Sequence, residues 1–395
     1  MSYRWQSEAC DLQHDPVSGA LITRLTCSAM HNINIYCEQP YTSPDGKKIA
    51  YTRGFGPDPR IPPYQLCVAD IEKLKVCLVE PEVSSVMVAT SAWSGIIFYL
   101  RPNNELIKLD ITTLEKQIVI SDFEIGKQMS FDTVSYDQRY LVGVRKNMND
   151  EFEIIRVDLK EKSWKVIFKH QDILNHIQFN HAGTYDILVQ QNRKQKIDSH
   201  GLRIGSKETE ELTTHFIIDH QGNNFRQLKV GLPYTAGSTG HSGWIGDTGK
   251  IGLTVRWPAM AENEPSLRFK IEHDPLHPEG NFVIIGPDDE KPLIFPAKQH
   301  LFNHVNISKC GTYFVCDSYK NGIPGPIEIV VGNIKSKKCR TLVSNCGSQG
   351  GGAAVSHPHP YMTADNKNVI FNADPFGICH VFAARVPDDF LKSLE

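Results

Sequence analysis

The feature that most constrains this chain is a recurrence. Short β-rich runs return with the same punctuation: a turn, an apolar strand, a second strand ending in Asp, then a charged turn and another strand. The first copy opens with YTSPDGKKIAYT, where Ser43, Pro44, Asp45 and Gly46 make the turn and Ile49 begins the next strand, and it continues as YQLCVADIEKLKVCLVE. TSAWSGIIFYLRPNNELIKLDITTLEKQIVI and FDTVSYDQRYLVGVRKNMNDEFEIIRVDLKEKSWKVIF repeat the rhythm. Strand residues in each are β-branched and aromatic, and Asp70, Asp110 and Asp158 close a strand before a charged turn. Asp45 to Asp137 is 92 residues over two units, so the period is about 46, the length of a four-stranded antiparallel blade.

Later units are longer. IQFNHAGTYDILVQ opens a fourth, with THFIIDHQGNNFRQLKV as its outer part after a polar insertion; HSGWIGDTGKIGLTVRW opens a fifth and HVNISKCGTYFVCDS a sixth. The seventh, HPHPYMTADNKNVIFNAD followed by CHVFAARV, has three clear strands, while GALITRLT at residues 19–26 is a β-like run without a partner in the first unit. These observations predict one all-β domain over residues 1–395: a seven-bladed β-propeller closed by residues 19–26 pairing beside the strand from Cys379 to Ala384. The competing counts are a β-sandwich pair or a ring of six or eight blades. Helix has little claim, because only the terminal FLKSLE suggests a turn of one.

Composition narrows the function classes. The 45 acidic residues against 42 Lys plus Arg give a formal charge of −3, with no basic block to neutralise a run of phosphates, so no nucleic-acid partner is expected. The opening MSYRWQSEACDLQHD lacks a charged n-region followed by an apolar stretch, and no apolar run approaches a membrane span. The expectation is a cytoplasmic protein with no membrane partner. Ten Cys are spread thinly without CxxC spacing, and Cys67 and Cys77 lie inside strand-like runs, where a reduced, buried small hydrophobe is the expected reading.

Of 16 His, 14 lie at or after His170. In a propeller the innermost strand of each blade opens beside the central channel, so residues at its start are gathered from distant sequence into one concavity. His176, His241, His304, and His357 with His359 all occupy that place in their units. The sharpest local motif is SHPHP: His357 and His359 are i and i+2, so in an extended chain both rings leave on one face roughly 7 Å apart. Pro358 and Pro360 bias the preceding histidines toward extended conformations. Together with His304 the pair could hold Mn, Zn, Fe or Ni. An ordinary exposed His-Pro turn is the plain alternative.

Nearly the full length of the chain resembles the oligogalacturonate lyases, seven-bladed propellers that cleave short pectic oligosaccharides by β-elimination, usually with manganese. The resemblance rests on DPVSGALITRLT, SPDGKKIAY, LIKLDITTLEKQIV, IIRVDLK, HIQFN and above all SHPHPYMTADNKNVIFNAD; residues near 191–215 and 257–280 match poorly. It implies a divalent metal, Mn2+ or another, on His304, His357 and His359, and a catalytic base at His241. A glutamine three residues before the HPHP pair is replaced by Ala354, with Gln349 the nearest glutamine. The catalytic arginine falls near the fourth-unit insertion, on Arg203, with Arg193 as the alternative and a substrate-binding candidate. VQQNRK stands where the family commonly has a CHEGP-like segment.

The implied reaction has a physical logic. C5–H of a uronate is a poor acid because the adjacent carboxylate is already negative, so a bound cation that neutralises this charge assists proton removal. A neutral His241 would take the proton, an arginine would pair with the carboxylate or donate toward the 4-oxygen, and His176 would orient the substrate. The product is a 4,5-unsaturated uronate, and the partner is a short acidic oligosaccharide. The main alternative is a non-catalytic oligosaccharide-binding propeller. A hydrolase or phosphatase would want carboxylates beside the histidines, and the sequence singles none out. Oligomeric state is unknown.

Overall fold

The computed structural model describes residues 3–54, 63–85, 88–193, 196–197, 203–204, 213–256, 275–320, 325–348 and 357–395. The repeated aspartates are the turn anchors the sequence suggested. Asp70 Oδ1 accepts the amide of Lys73 at 2.8 Å, Asp110 Oδ1 that of Thr112 at 2.7 Å, and Asp158 Oδ1 those of Lys160 and Glu161 at 3.2 and 3.1 Å. Each carboxylate satisfies amides that a tight turn would otherwise leave unpaired. Central strands read as unbroken buried runs because both faces are covered: all six residues of Glu328–Asn333 are buried, whereas the outer strand Lys338–Val343 begins exposed.

The strands form an all-β propeller arrangement. The first sheet contains His31–Ile33, Lys48–Gly54, Tyr64–Asp70, Lys75–Val83 and Trp5–Gln6. A long sheet then runs through Ala89–Ser91, Ile96–Leu100, Leu106–Asp110 and Lys116–Ile120 on one side and Thr133–Val134, Tyr140–Lys146, Phe152–Asp158 and Ser163–His170 on the other. Three four-stranded sheets follow, with first strands Ile173–Phe179, Ser238–Trp244 and Phe302–Ile307. The last comprises Tyr361–Met362, Asn368–Ala373, His380–Arg385, Leu21–Arg24 and Cys10–His14. First strands of successive sheets neighbour one another, from Thr133–Val134 through Ile173–Phe179, Ser238–Trp244 and Phe302–Ile307 to Tyr361–Met362. The apolar core is a series of wedges between adjacent sheets. One is built on Phe282, Phe295, Phe302 and Phe314, with the Phe282 and Phe314 rings 4.4 Å apart.

This topology overturns the expectation of a seven-bladed propeller closed by an N-terminal strand. Five blade-sized sheets of four or five strands stand beside one continuous eight-stranded sheet. The inner strands Ala89–Ser91 and Thr133–Val134 are so short that they meet directly, in parallel, with Thr90 opposite Thr133. Counting units along the sequence does not register a pairing between non-consecutive strands. The N-terminal segment is not a single closing strand either. Leu21–Arg24 does pair antiparallel with His380–Arg385, but Cys10–His14 adds outside it, and Trp5–Gln6 leaves to pair with Cys77 and Val76 of the first sheet.

Helix is as scarce as expected: among the described residues it amounts to the 3-10 turns Glu124–Lys127 and Lys392–Leu394. No described helix is long and apolar enough to cross a membrane. Cys67 and Cys77 are buried free thiols, and burial pushes Cys67 up to about 12.

Candidate active site

The histidine cluster is built by irregularities in the first strands. Pairing slips between Asn175 and Gln178, between Ser238 and Ser242, and between Phe302 and Val305. His176, His241 and His304 sit inside these three bulges, which re-aim side chains that a regular strand would pack into a sheet. His176 and His359 take left-handed backbone, with φ of 49° and 42°, and so does Ile35 at 70°. Such conformations cost of order 1–3 kcal/mol each and are retained where the surrounding structure imposes them.

The result is one constellation. The rings of His304 and His359 are 4.3 Å apart, His304 and His357 5.1 Å, and His357 and His359 5.8 Å. His241 lies 4.1 Å from His304, and His176 lies 5.9 Å from His241 on the far side. Tyr36 underlies the row, 4.6 Å from His359 and 5.4 Å from His176.

His304, His357 and His359 each offer a ligand atom, and these atoms lie within 4.8 Å of one another. Nδ1 of His359 is buried with no hydrogen-bond partner, a cost that a metal on that atom would remove. Asp317 stands behind His304: the His304 amide donates to Oδ1 at 2.7 Å and Nδ1 lies 2.6 Å from Oδ2. This is the carboxylate–histidine arrangement that orients a metal ligand and directs Nε2 outward. Burial pushes the Asp317 carboxyl up to about 7 and holds His304 and His359 well below the ordinary histidine value; His357 is lowered too. Neutral imidazoles with free lone pairs are the form a divalent cation requires, so the residues present fit such an ion.

His241 is held through one ring nitrogen. Its Nδ1 lies 3.0 Å from the Thr239 hydroxyl and 3.1 Å from the Asn303 carbonyl oxygen; in the tautomer with the hydrogen on Nδ1, which both oxygens can accept, Nε2 keeps a lone pair. Burial first, then the neighbouring His304, hold His241 well below its usual range. A neutral imidazole with a free Nε2 is competent as a general base. Beyond it, a cleft of about 210 Å³ is lined by Tyr36, Glu38, Asp132 and His176. Glu38 Oε2 lies 3.1 Å from His176 Nδ1, while its Oε1 accepts the Ser242 amide at 3.3 Å.

Five of the seven residues singled out in the sequence, the histidines, therefore come together. Arg193 lies half-buried in the turn after Asp186–Asn192, and Arg203 on a two-residue strand paired with Lys196–Ile197. The Arg203 side chain, Ala354 and Gln349 fall outside the described residues. Carboxylates, which the sequence did not single out, are present in Glu38, Asp132 and Asp317. Asp317 had a faint signal, as the acid in the mostly apolar strand YFVCDS; Glu38 and Tyr36 lie within the irregular NINIYCEQ run and had none. That run is tied to the SHPHP segment by Asn34, whose amide donates to Asn372 Oδ1 at 2.9 Å and whose Nδ2 donates to the His359 carbonyl at 2.8 Å.

No protein-family profile matches the chain. It is 22% identical over 338 residues to an oligogalacturonide lyase of Pectobacterium atrosepticum, covering 74% of this chain and 75% of that one. It is 21% identical to an oligogalacturonate lyase of Dickeya dadantii, over 95% of both. A solved structure of an oligogalacturonate lyase in complex with manganese superposes with a TM-score of 0.72 at 18% identity, covering 99% of each chain. At this identity the structural likeness speaks for the fold, and the site must carry the chemistry.

Proposed function

We propose that the chain is a metal-dependent lyase that cleaves short oligogalacturonides by β-elimination, leaving 4,5-unsaturated uronates. The observation that carries this reading is the juxtaposition of the His304, His357 and His359 triad with a neutral His241 only 4.1 Å away. A divalent cation held by the triad, Mn2+ or a similar ion, would supply the positive charge that makes the C5 proton of a uronate acidic enough to leave. Nε2 of His241, whose other nitrogen is held by the Thr239 hydroxyl and the Asn303 carbonyl, takes that proton. The flanking Gly240 takes a φ of 105°, a backbone conformation that favours glycine. Arg203, or Arg193 in its place, is assigned to the substrate carboxylate. The reading places the protein in the cytoplasm, on oligomers already short.

The test is formation of the ultraviolet-absorbing unsaturated product from trigalacturonate with manganese. His241→Ala should keep the metal and lower turnover by about 10² or more, the scale of a lost general base. Ala354 in place of a glutamine favours one rival, a propeller that binds oligouronides without cleaving them. Binding without product by the parent protein would establish that rival instead.

A further inference from the structure

The reactive atoms of a uronate are consecutive: the carboxylate is attached to C5, C5 carries the proton, and C4 carries the leaving oxygen. The site presents its groups in the same order. The metal-competent triad comes first, His241 follows 4.1 Å from His304, and His176 comes next, 5.9 Å from His241 with its ring perpendicular. All three stations lie over Tyr36, whose ring contacts His359, His241 and His176. A substrate carboxylate at the triad with C5–H at His241 brings the 4-oxygen toward His176.

The third station is built differently from the second. His241 is backed by neutral groups, the Thr239 hydroxyl and the Asn303 carbonyl. His176 is backed by Glu38, whose side chain is buried and whose second oxygen is fixed by the Ser242 amide. A carboxylate behind an imidazole accepts the hydrogen on Nδ1 and fixes the ring's orientation, which leaves Nε2 as the atom turned to a substrate. The left-handed backbone at His176 and the bulge around it show that this placement is imposed against local preference.

We propose that His176, positioned by Glu38, is the proton donor to the departing 4-oxygen. This rests on the lyase reading and adds its second proton transfer. His241 Nε2 takes the C5 proton, the C5–H electron pair becomes the C4–C5 double bond, and the C4–O4 pair leaves on oxygen. His176 Nε2–H supplies the proton that converts this oxygen to a hydroxyl. The two histidines then return to their starting forms by exchange with solvent, with no oxidant or reductant involved. His176 is thereby a catalytic residue and Glu38 a positioning residue.

The test compares two substrates whose leaving groups differ in their need for a proton: trigalacturonate, and a galacturonide carrying fluorine at C4, which departs as stable fluoride. His176→Gln should lower kcat about 10²-fold or more on trigalacturonate and no more than a few-fold on the fluoro substrate. Glu38→Gln should show the same selectivity with a smaller loss, about tenfold on trigalacturonate, and it carries the test if the first variant does not fold. His241→Ala should lose activity on both. Equal losses on the two substrates, or no loss on either, would overturn the assignment of His176 while leaving the lyase reading intact. A metal-loaded parent inactive on both substrates would overturn the lyase reading and this proposal together. Thermal melts and metal content of each variant separate these outcomes from misfolding.

Discussion

Two arcs of the same propeller arrangement use their innermost strands in opposite ways. Along the eight-stranded sheet, Ala89–Ser91 and Thr133–Val134 are short, wholly buried and bridged to one another at Thr90 and Thr133. Along the three sheets that follow, Ile173–Phe179, Ser238–Trp244 and Phe302–Ile307 are six or seven residues long, each is bulged, and each carries a histidine in its bulge. Direct pairing satisfies backbone groups and closes one arc with small residues. Bulging leaves backbone groups to be met by Glu38, Asp317 and other side chains, and so admits polar chemistry on the other. The lesson is that a repeat fold makes a site where its repeats are least regular.

The largest effect that tests this contrast is on metal. His357→Ala should abolish stoichiometric binding while leaving the β-rich fold intact, and Asp317→Asn should weaken binding about 10- to 100-fold, the range for a lost outer partner of a ligand histidine. Elemental analysis and titration calorimetry measure both. Full occupancy in the first variant would remove the bulged arc's claim to a metal site.

Next comes stability. A side chain on Gly143, in the paired arc, would place its first carbon 1.9 Å from the Ser130 carbonyl oxygen. Gly143→Ala should therefore cost about 3 kcal/mol or more in urea denaturation. At Gly240, in the bulged arc, the nearest atom is the Gln190 side-chain oxygen at 2.9 Å, which can move. Gly240→Ala should cost only about 1–2 kcal/mol for the backbone conformation, and should depress turnover more than stability. The reverse ranking would undo the comparison.

The smallest effect is pH dependence. Burial pushes His181, His300 and His380 down to about 4 and His215 to about 3. Unfolding raises each toward about 6.5, so between about pH 6.5 and 4 the unfolded chain binds more protons and stability falls as pH falls. Asp132 and Asp317, raised to about 6 and about 7, work in the opposite direction over part of that window. The four histidines outnumber them, so the melting temperature should drop from pH 7 to pH 5. His181→Gln with His300→Gln should flatten the slope. Three of the four, His181, His215 and His300, belong to the bulged arc and none to the paired one, so hydrogen exchange at low pH should open the bulged arc first. Uniform opening would mean the arcs share one cooperative unit.

The sequence made the strands, the Asp-anchored turns and the convergence of five histidines legible, because each has a local signature: alternation, a turn residue, or a position at the start of a repeat. The sheet count was not legible, since the Thr90–Thr133 pairing joins residues whose neighbours carry no mark of it. Nor was the fate of the N-terminal residues, which alternate like any strand whether they serve one sheet or two. Glu38 and Asp317 were missed for the same reason. Their roles come from contacts that the local pattern does not mark, with His176 and Ser242 of two other sheets in one case and with His304 on the neighbouring strand in the other.

The hydrogen bonds from Asn34 to Asn372 and to the His359 carbonyl set an order of events in folding. They join the two ends of the chain, and contacts so distant in sequence are slow to form because the intervening loop entropy must be overcome first. The segment carrying two of the three metal-competent histidines should thus be fixed late. During refolding, metal affinity should appear after the bulk of the β-sheet signal, and a cation added to a half-folded population should draw it selectively toward the finished structure.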